Sequence, residues 1–261
     1  MNERSCCGVG RNITLADNLV HGSFGMRIAI LIPARYGSVR FPGKALHPLD
    51  GQPMAKRVYD QCTLSGFDTF LLSDDERILS LSQMHLKTSQ SCRNGTERCA
   101  EAADTLTAYD AFINVQGDMP DISVEIIRAV ARELQSNSLV TVYTVMNDKE
   151  RLNPNSVKII HNTQSAMWCC RAALSYGDHH LGVYGYSRSM LQRYSSFPMC
   201  KAELIEGLEQ LRWLHAGCRL RVIAVEYSGI EINTPEDAEK WEAQNSSKQG
   251  RSSFNQTSTI T

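Results

Sequence analysis

The sequence predicts an α/β protein of three layers, with a mostly parallel central sheet and helices on both faces. Short apolar runs alternate with amphipathic stretches along residues 26–244, which is the pattern of strands that alternate with helices. The first run, R-I-A-I-L-I at Arg27–Ile32, is continuously apolar after its arginine and predicts a strand buried on both faces. No internal repeat or change of composition divides residues 26–244, so we expect one domain there.

The elements follow in order from the same two patterns. Apolar runs predict strands at Arg27–Ile32, Thr69–Ser73, Ala111–Val115, Leu139–Val145, Val157–His161, Gly182–Ser187 and Leu220–Val225. Amphipathic stretches predict helices at Pro53–Leu64, from about Asp75, at Thr96–Leu106, near Ser123–Gln135, at Ala202–Ala216 and at Pro235–Gln244. Pro53 suits the first turn of a helix, where its missing N–H costs nothing.

Composition and the two ends of the chain exclude several classes of protein. Lys+Arg number 27 against 28 Asp+Glu, so no broad basic field favours nucleic acid or an anionic membrane. No run approaches the roughly 18 apolar residues of a membrane helix. The nine cysteines follow no metal-ligand spacing, and reduced thiols in a cytoplasmic protein are expected. We expect residues 1–25 to be a flexible extension and the polar residues 245–261 to be a disordered tail.

A cationic loop directly follows the first strand. The segment I-P-A-R-Y-G-S-V-R-F-P-G-K places Arg35, Arg40 and Lys44 among two glycines and two prolines. Guanidinium and ammonium groups donate charge-assisted hydrogen bonds, and glycines let backbone amides approach phosphate oxygens. The loop therefore suits a triphosphate, although three solvated cations on a surface loop are the alternative. In such sheets the ligand lies beyond the carboxyl ends of the strands, so the loops after Ile32, Ser73 and Val115 carry the most information.

A P-loop nucleotide site is excluded by the spacing of the same loop. Five residues separate Gly37 from Gly43, where a Walker A motif has four. Ala45 also stands where the magnesium-binding Ser or Thr belongs. The Gly43-Lys44 pair is therefore not the end of a Walker A motif.

An ordered set of motifs resembles the 3-deoxy-manno-octulosonate cytidylyltransferases, also called CMP-Kdo synthetases. The motifs are the cationic loop, N-G-T-E-R-C-A-E (94–101), N-V-Q-G-D (114–118), N-P-N-S-V-K (153–158), H-L-G-V-Y-G-Y (180–186), L-E-Q-L-R (208–212) and N-T-P-E-D (233–237). The resemblance runs through most of residues 27–244. It implies a fold like that of the nucleotide-diphospho-sugar transferases and a transfer of CMP from CTP to 3-deoxy-D-manno-octulosonate (Kdo), with release of pyrophosphate, in lipopolysaccharide biosynthesis.

The resemblance also implies the roles of individual residues. Nucleotide binding falls to Arg35, Arg40, Lys44, Asp74 and Gln116, with Arg35, Lys44 and Asp118 taking part in catalysis. Sugar binding falls to Arg98, His180, Tyr184, Glu209 and Gln210. The implied cofactor is Mg²⁺, held by Asp118 and Asn233, and a homodimer is implied, with residues around His161–Tyr186 as its contact surface.

Two positions and one stretch of the sequence depart from the family pattern. Asn233 stands where V-D-T-P-E-D has an aspartate, and an amide oxygen brings no negative charge to Mg²⁺. We therefore expect weaker metal binding, unless Glu231, on the same side of an extended segment, compensates. Met119 replaces a glutamate, and the stretch Arg171–His179 is shorter than its family counterpart.

These departures leave two further hypotheses open. One is the same transfer to another sugar acid, an 8-amino-octulosonate or a nonulosonate. The other is a weakly active paralogue that binds nucleotide. Turnover only with the alternative sugar favours the first, and stabilisation by CTP without pyrophosphate release favours the second.

Overall fold

A buried strand, Ile28–Pro33 (β1), lies at the centre of the main sheet. The structure is a computed structural model that describes residues 25–38 and 40–254. Ile28, Ile30 and Ile32 pack into one apolar cluster, and Ala29 and Leu31 pack into another. Because successive side chains of a strand point to opposite faces, β1 is covered on both sides, as its continuous apolar sequence predicts.

The main sheet has nine strands among the described residues. After β1 these are Asp68–Ser73 (β4), His85–Lys87 (β5), Ala111–Val115 (β6), Leu139–Thr144 (β7), Lys158–His161 (β8), Ala166–Cys170 (β9), Asp178–Ser187 (β10) and Arg221–Ala224 (β11). A small hairpin, Pro48–Leu49 (β2) with Gln52–Pro53 (β3), lies apart. The order is β11-β7-β10-β6-β1-β4-β5, with β8 paired to β10 and β9 to β8. Along this order β10 is antiparallel to β6 and β7, and the other pairs are parallel.

Helices cover the two faces and complete the three predicted layers. They are Met54–Thr63 (α1), Glu76–Leu79 (α2), Gly95–Thr105 (α3), Val124–Glu133 (α4), Asp148–Arg151 (α5), Arg188–Arg193 (α6), Lys201–Glu206 (α7), Leu211–His215 (α8) and Pro235–Phe254 (α9), with 3₁₀ turns at Lys44–Leu46 and Tyr194–Ser196. Apolar side chains of α1 and α4 belong to the cluster on one face of β1. Those of α3 and α8 belong to the cluster on the other face. The predicted fold class is therefore confirmed.

The prediction of one continuous helix at Ala202–Ala216 is wrong. The structure has two short helices there, α7 and α8, and α7 ends at Gly207 in the left-handed region with φ 63°. A glycine adopts this conformation at little cost and commonly ends helices in it. The break places Glu209 and Gln210 in the turn between the two helices.

The last helix is longer than predicted. The sequence predicts an end at Gln244 and a disordered tail from residue 245, whereas α9 continues to Phe254. No proline occurs in residues 245–254, so nothing in their sequence forces the helix to end at Gln244. Residues 1–24 and 255–261 lie outside the described residues, and the expectations for them stay predictions. Within the described part of the chain, no helix has the length and apolar character needed to cross a membrane.

Candidate active site

A cavity of about 610 Å³ opens where β1 and β6 end. These strands run parallel, so the loops that follow them meet at one edge of the sheet. Eleven of the twelve predicted site residues line the cavity: Arg35, Arg40, Lys44, Arg98, Gln116, Asp118, His180, Tyr184, Glu209, Gln210 and Asn233. The structure thus brings together side chains from segments nearly 200 residues apart in sequence, while their individual roles remain predictions.

The cationic loop after β1 forms one wall. Gly43 adopts φ 72° and leads into the 3₁₀ turn that begins at Lys44. The Lys44 ammonium donates to Asp118 Oδ2 at 2.6 Å and to the carbonyl of Ile232 at 3.1 Å. Arg40 donates to Asn233 Oδ1 at 3.2 Å, and Arg35 is exposed. The loop therefore presents three cations to the cavity, two of which contact the proposed metal ligands.

Acidic and amide oxygens lie beside this loop. The backbone N–H of Ile232 donates to the carbonyl of Asp118 at 2.9 Å, which fixes the 231–233 segment beside Asp118. Ile232 is buried, whereas Glu231 and Asn233 on either side of it line the cavity. Burial, and then the charge of Asp118, raise the pKa of Glu231 to about 7. Two carboxylates and an amide oxygen thus lie on one wall.

Asp74 is the predicted site residue that does not line the cavity. Its Oδ1 accepts a hydrogen bond at 2.9 Å from Arg98, which is almost fully buried and also donates to Thr88. Arg98 belongs to α3, whose N-terminus faces the cavity through Gly95. Asp74 therefore holds Arg98 in place, and its predicted contact with nucleotide is untested.

Glu209 receives hydrogen bonds from two directions. The backbone N–H of Thr96, in the first turn of α3, donates to Oε2 at 2.9 Å, and Gln116 Nε2 lies 3.3 Å from Oε1. Burial raises the pKa of Glu209 even though the Thr96 N–H favours the charged form. Gly182 of β10 packs against Gln116, where a Cβ atom would lie 2.8 Å from Gln116 Cγ. The small size of residue 182 is therefore required for the position of Gln116.

His180 and Tyr184 form the far side of the cavity and project from β10. His180 Nε2 is 3.0 Å from the hydroxyl of Thr141, and the Tyr184 hydroxyl donates to Gln210 Oε1 at 3.2 Å. Burial, with smaller contributions from His179 and Arg171, lowers the pKa of His180 to about 3. His180 is consequently a neutral hydrogen-bonding group over the whole physiological pH range.

Arg171 lines the cavity without having been predicted as a site residue. Its Nε donates to the carbonyl of Glu206 at 3.2 Å and its guanidinium to the carbonyl of Asn155 at 3.0 Å. Burial first, and then the charge of Arg40, lower its pKa. Arg171 directly follows β9, a strand that is absent from the sequence prediction although its five residues, A-M-W-C-C, are all apolar.

A buried ion-pair network supports the floor of the site. The Arg212 guanidinium pairs with Glu203 and lies 3.2 Å from Glu97, so it links α8 to α7 and α3. It also lies over the ring of Tyr194, with 4.1 Å from Cζ to the ring centroid. Arg212 stood in the recognised L-E-Q-L-R motif, but nothing in the sequence assigned it this structural role.

The three-layer fold, with a polycationic loop beyond the first strand and a polar cavity opposite, defines a nucleotidyltransferase type of site. A sequence model of the cytidylyltransferase family matches residues 29–222. Since that match covers most of the chain, the class is shown by sequence as well as by the arrangement of the site.

Individual relatives show which kind of cytidylyltransferase the chain resembles. A 3-deoxy-manno-octulosonate cytidylyltransferase of Desulfosudis oleivorans is 35% identical over 84% of this chain and 97% of the relative. An 8-amino-3,8-dideoxy-manno-octulosonate cytidylyltransferase of Shewanella sp. (strain ANA-3) is 37% identical over 83% and 98%. The solved structure of a CMP:2-keto-3-deoxy-manno-octonic acid synthetase complexed with CTP superposes with a TM-score of 0.79 at 30% identity, over 85% of this chain and 99% of that one. The chain belongs to the 3-deoxy-manno-octulosonate cytidylyltransferase family.

Proposed function

We propose that the protein transfers CMP from CTP to Kdo and releases pyrophosphate. The observation that carries the proposal is the cavity with two chemically different walls. The cations Arg35, Arg40 and Lys44 lie on one wall, and neutral hydrogen-bonding groups, including His180 and Tyr184, lie on the other. A triphosphate matches the first wall and a polyhydroxylated sugar acid matches the second.

The reaction needs positioning and charge neutralisation more than a protein nucleophile. The anomeric hydroxyl of the sugar acid attacks the α-phosphorus, its oxygen forms the new bond to phosphorus, and the bond from the α-phosphorus to the bridging oxygen breaks. Pyrophosphate leaves with that oxygen, and the hydroxyl proton passes to solvent or a basic group. Arg35, Arg40 and Lys44 stabilise the charge on the phosphates during this displacement. All three side chains line the same cavity.

The oxygen ligands beside Lys44 fit Mg²⁺. Mg²⁺ is commonly bound by one or two carboxylates together with substrate phosphates. Among the described residues no group of three or more His, Cys, Asp or Glu is placed to hold a metal ion. We propose that Asp118 holds Mg²⁺ with help from the 231–233 segment. When bound, the ion would supply positive charge to the phosphates, and Asp118 would determine where the ion lies.

The sugar-acid wall supplies both donors and acceptors. Glu209 and Gln210 face the cavity from the turn between α7 and α8, and neutral His180 and the Tyr184 hydroxyl face it from β10. Arg171 adds a cation on the same wall, which suits the carboxylate of a sugar acid. A sugar without a carboxylate would leave that cation unpaired, so we expect it to be a poor substrate.

The proposed partners are CTP and the sugar acid, in a cytoplasmic homodimer that binds neither nucleic acid nor membrane. Balanced charge supports the last two points. Within the predicted contact region, Met167, Trp168 and Tyr176 are 62%, 41% and 58% exposed, which supports an interface there.

The test is pyrophosphate release by the purified protein with CTP, Mg²⁺ and Kdo. A control without sugar and an Asp118→Ala variant accompany it. Release that needs the sugar and is lost in the variant supports the proposal. The 8-amino sugar acid is assayed in parallel because a 37% identical relative is named for it. Release only with the 8-amino sugar acid would show that this sugar, and not Kdo, is the acceptor. If folded protein binds CTP but releases no pyrophosphate with either sugar, the catalytic role is contradicted.

A further inference from the structure

We infer that Glu231, and not Asn233, supplies the second negatively charged ligand of the metal beside Asp118. The inference rests on the proposed function, since it concerns the Mg²⁺ site of the proposed transfer. It follows from three features of the 231–233 segment: its attachment to Asp118, the contacts of Asn233 and the open oxygen of Glu231.

The first feature is that the segment presents two side chains to one cavity. The hydrogen bond from the Ile232 N–H to the Asp118 carbonyl fixes its distance from Asp118. Ile232 points into the core beside Trp241, so Glu231 and Asn233 point to the opposite side and both line the cavity. A carboxylate at residue 231 therefore faces the same space as the amide at residue 233.

The second feature is that the Asn233 amide oxygen already has a partner. Asn233 Oδ1 accepts from Arg40 at 3.2 Å, and Arg40 belongs to the cationic loop. An amide adds no negative charge, and this one is directed to a cation of the protein. Asn233 consequently acts through Arg40, because its amide oxygen helps to position the cationic loop.

The third feature is an oxygen of Glu231 that is available to a ligand. Glu231 Oε1 accepts from the Gly182 N–H at 3.3 Å, which orients the carboxylate. Oε2 lies 3.8 Å from His179 Nε2, which exceeds hydrogen-bonding distance, and 21% of the side chain is exposed. Within the described residues, Asp118 Oδ2 accepts from Lys44, and Asp118 Oδ1 accepts no hydrogen bond from the protein. One oxygen of each carboxylate is therefore available.

The experiment measures binding of Mn²⁺, used alone as a probe of the Mg²⁺ site, from the electron paramagnetic resonance signal of the free ion. We expect Glu231→Gln to weaken Mn²⁺ binding by about tenfold or more, as loss of a ligand should. Asn233→Ala should weaken it by a smaller factor than Glu231→Gln does, because Asn233 contacts Arg40 and not a ligand of the metal. Glu231→Gln combined with Asn233→Asp should recover most of the affinity, because a carboxylate returns to the same side of the segment.

Two variants serve as controls. Glu226→Gln removes an equal charge from an exposed position on the same stretch that does not line the cavity, and it should leave Mn²⁺ binding unchanged. Asp118→Asn should abolish binding. Circular dichroism of every variant verifies that a loss of affinity is not a loss of fold.

Three results would overturn the inference: unchanged affinity in Glu231→Gln, an equal loss in Asn233→Ala, or no Mn²⁺ site in the wild type. Sugar-dependent pyrophosphate release is measured on the same wild-type sample. Release together with unchanged Mn²⁺ binding in Glu231→Gln refutes the ligand and keeps the transferase function. Absence of pyrophosphate release refutes the proposed transfer, whether or not Mn²⁺ binds.

Discussion

The ammonium group of Lys44 links the cationic loop to the wall that carries Asp118 and the 231–233 segment. It contacts Asp118 at 2.6 Å and the Ile232 carbonyl, and both partners belong to the wall that we assign to the metal. In the proposed reaction the same ammonium neutralises charge on the phosphates of CTP. We therefore expect the side chain to contribute both to CTP binding and to stabilisation of the transition state.

We predict that Lys44→Met lowers kcat/KM for CTP by roughly 100-fold, because a positioned cation is lost where charge develops. Lys44→Arg, which keeps the charge, should lose markedly less. Steady-state pyrophosphate release over a range of CTP concentrations measures both. Equal loss in the two variants would show that shape and not charge matters at residue 44.

His180 makes the folded protein sensitive to acid. Its pKa falls from 6.5 to about 3 on folding, because burial disfavours the charged ring. Below pH 6.5 the unfolded chain binds a proton at this position and the folded chain does not. The contribution of His180 to stability is thus complete above pH 6.5 and is lost as the pH falls toward 3.

We predict that the free energy of unfolding of the wild type falls by about 2 kcal/mol more between pH 7 and pH 5 than that of His180→Asn. Urea denaturation at several pH values measures the two slopes. Asn keeps a polar group near Thr141 without titrating. Parallel slopes would mean that His180 takes up a proton in the folded state.

At the scale of elements, the short helices α7 and α8 depend on the ion pairs of Arg212. The Arg212 side chain is fully buried and pairs with Glu203, which is 7% exposed, and with Glu97 of α3. Glu209 and Gln210 lie in the turn between these helices. The network therefore holds two of the proposed sugar-binding residues against α3.

We predict that Arg212→Met costs about 3 kcal/mol of unfolding free energy, because Glu203 is left as an unpaired buried charge. Arg212→Met with Glu203→Gln should recover part of that loss, since no carboxylate is then stranded. Chemical denaturation compares the variants. A double variant no more stable than the single one would place the cost in packing and not in charge.

The same helices show where sequence patterns stop being informative. Long apolar runs such as β1 and β6 were placed within a residue or two, because burial on both faces leaves an unmistakable pattern. The three-residue β5 is too short to show a pattern, whereas β9 is absent from the prediction although its five residues, A-M-W-C-C, are all apolar. Arg171 was missed with β9, and the break at Gly207 depends on one backbone angle that periodicity does not record.

For the whole molecule, we expect the assembly of two chains to involve β9. Its strand partner within the described residues is β8, and it carries the exposed side chains of Met167 and Trp168. Edge strands with exposed apolar side chains readily pair with another chain. This edge lies within the region from which the family resemblance predicts a homodimer.

We predict that Met167→Glu with Trp168→Glu converts a dimer into a monomer, measured by sedimentation velocity. Leu64→Glu, at a position 65% exposed between α1 and β4, is the matched control and should leave the mass unchanged. A monomeric wild type would refute the homodimer. A dimeric double variant would move the interface elsewhere.

The antiparallel direction of β10 separates the two halves of the site along the chain. The parallel strands β1 and β6 deliver their last residues to the cavity, whereas β10 enters from it, so His180 lies near the start of that strand. The short segment at residues 171–177 therefore directly precedes β10 and lies far in sequence from the cationic loop that follows β1. We expect insertions or deletions in that segment to change which acceptor is recognised more than they change nucleotide binding, so that a new acceptor specificity could evolve on an existing donor site.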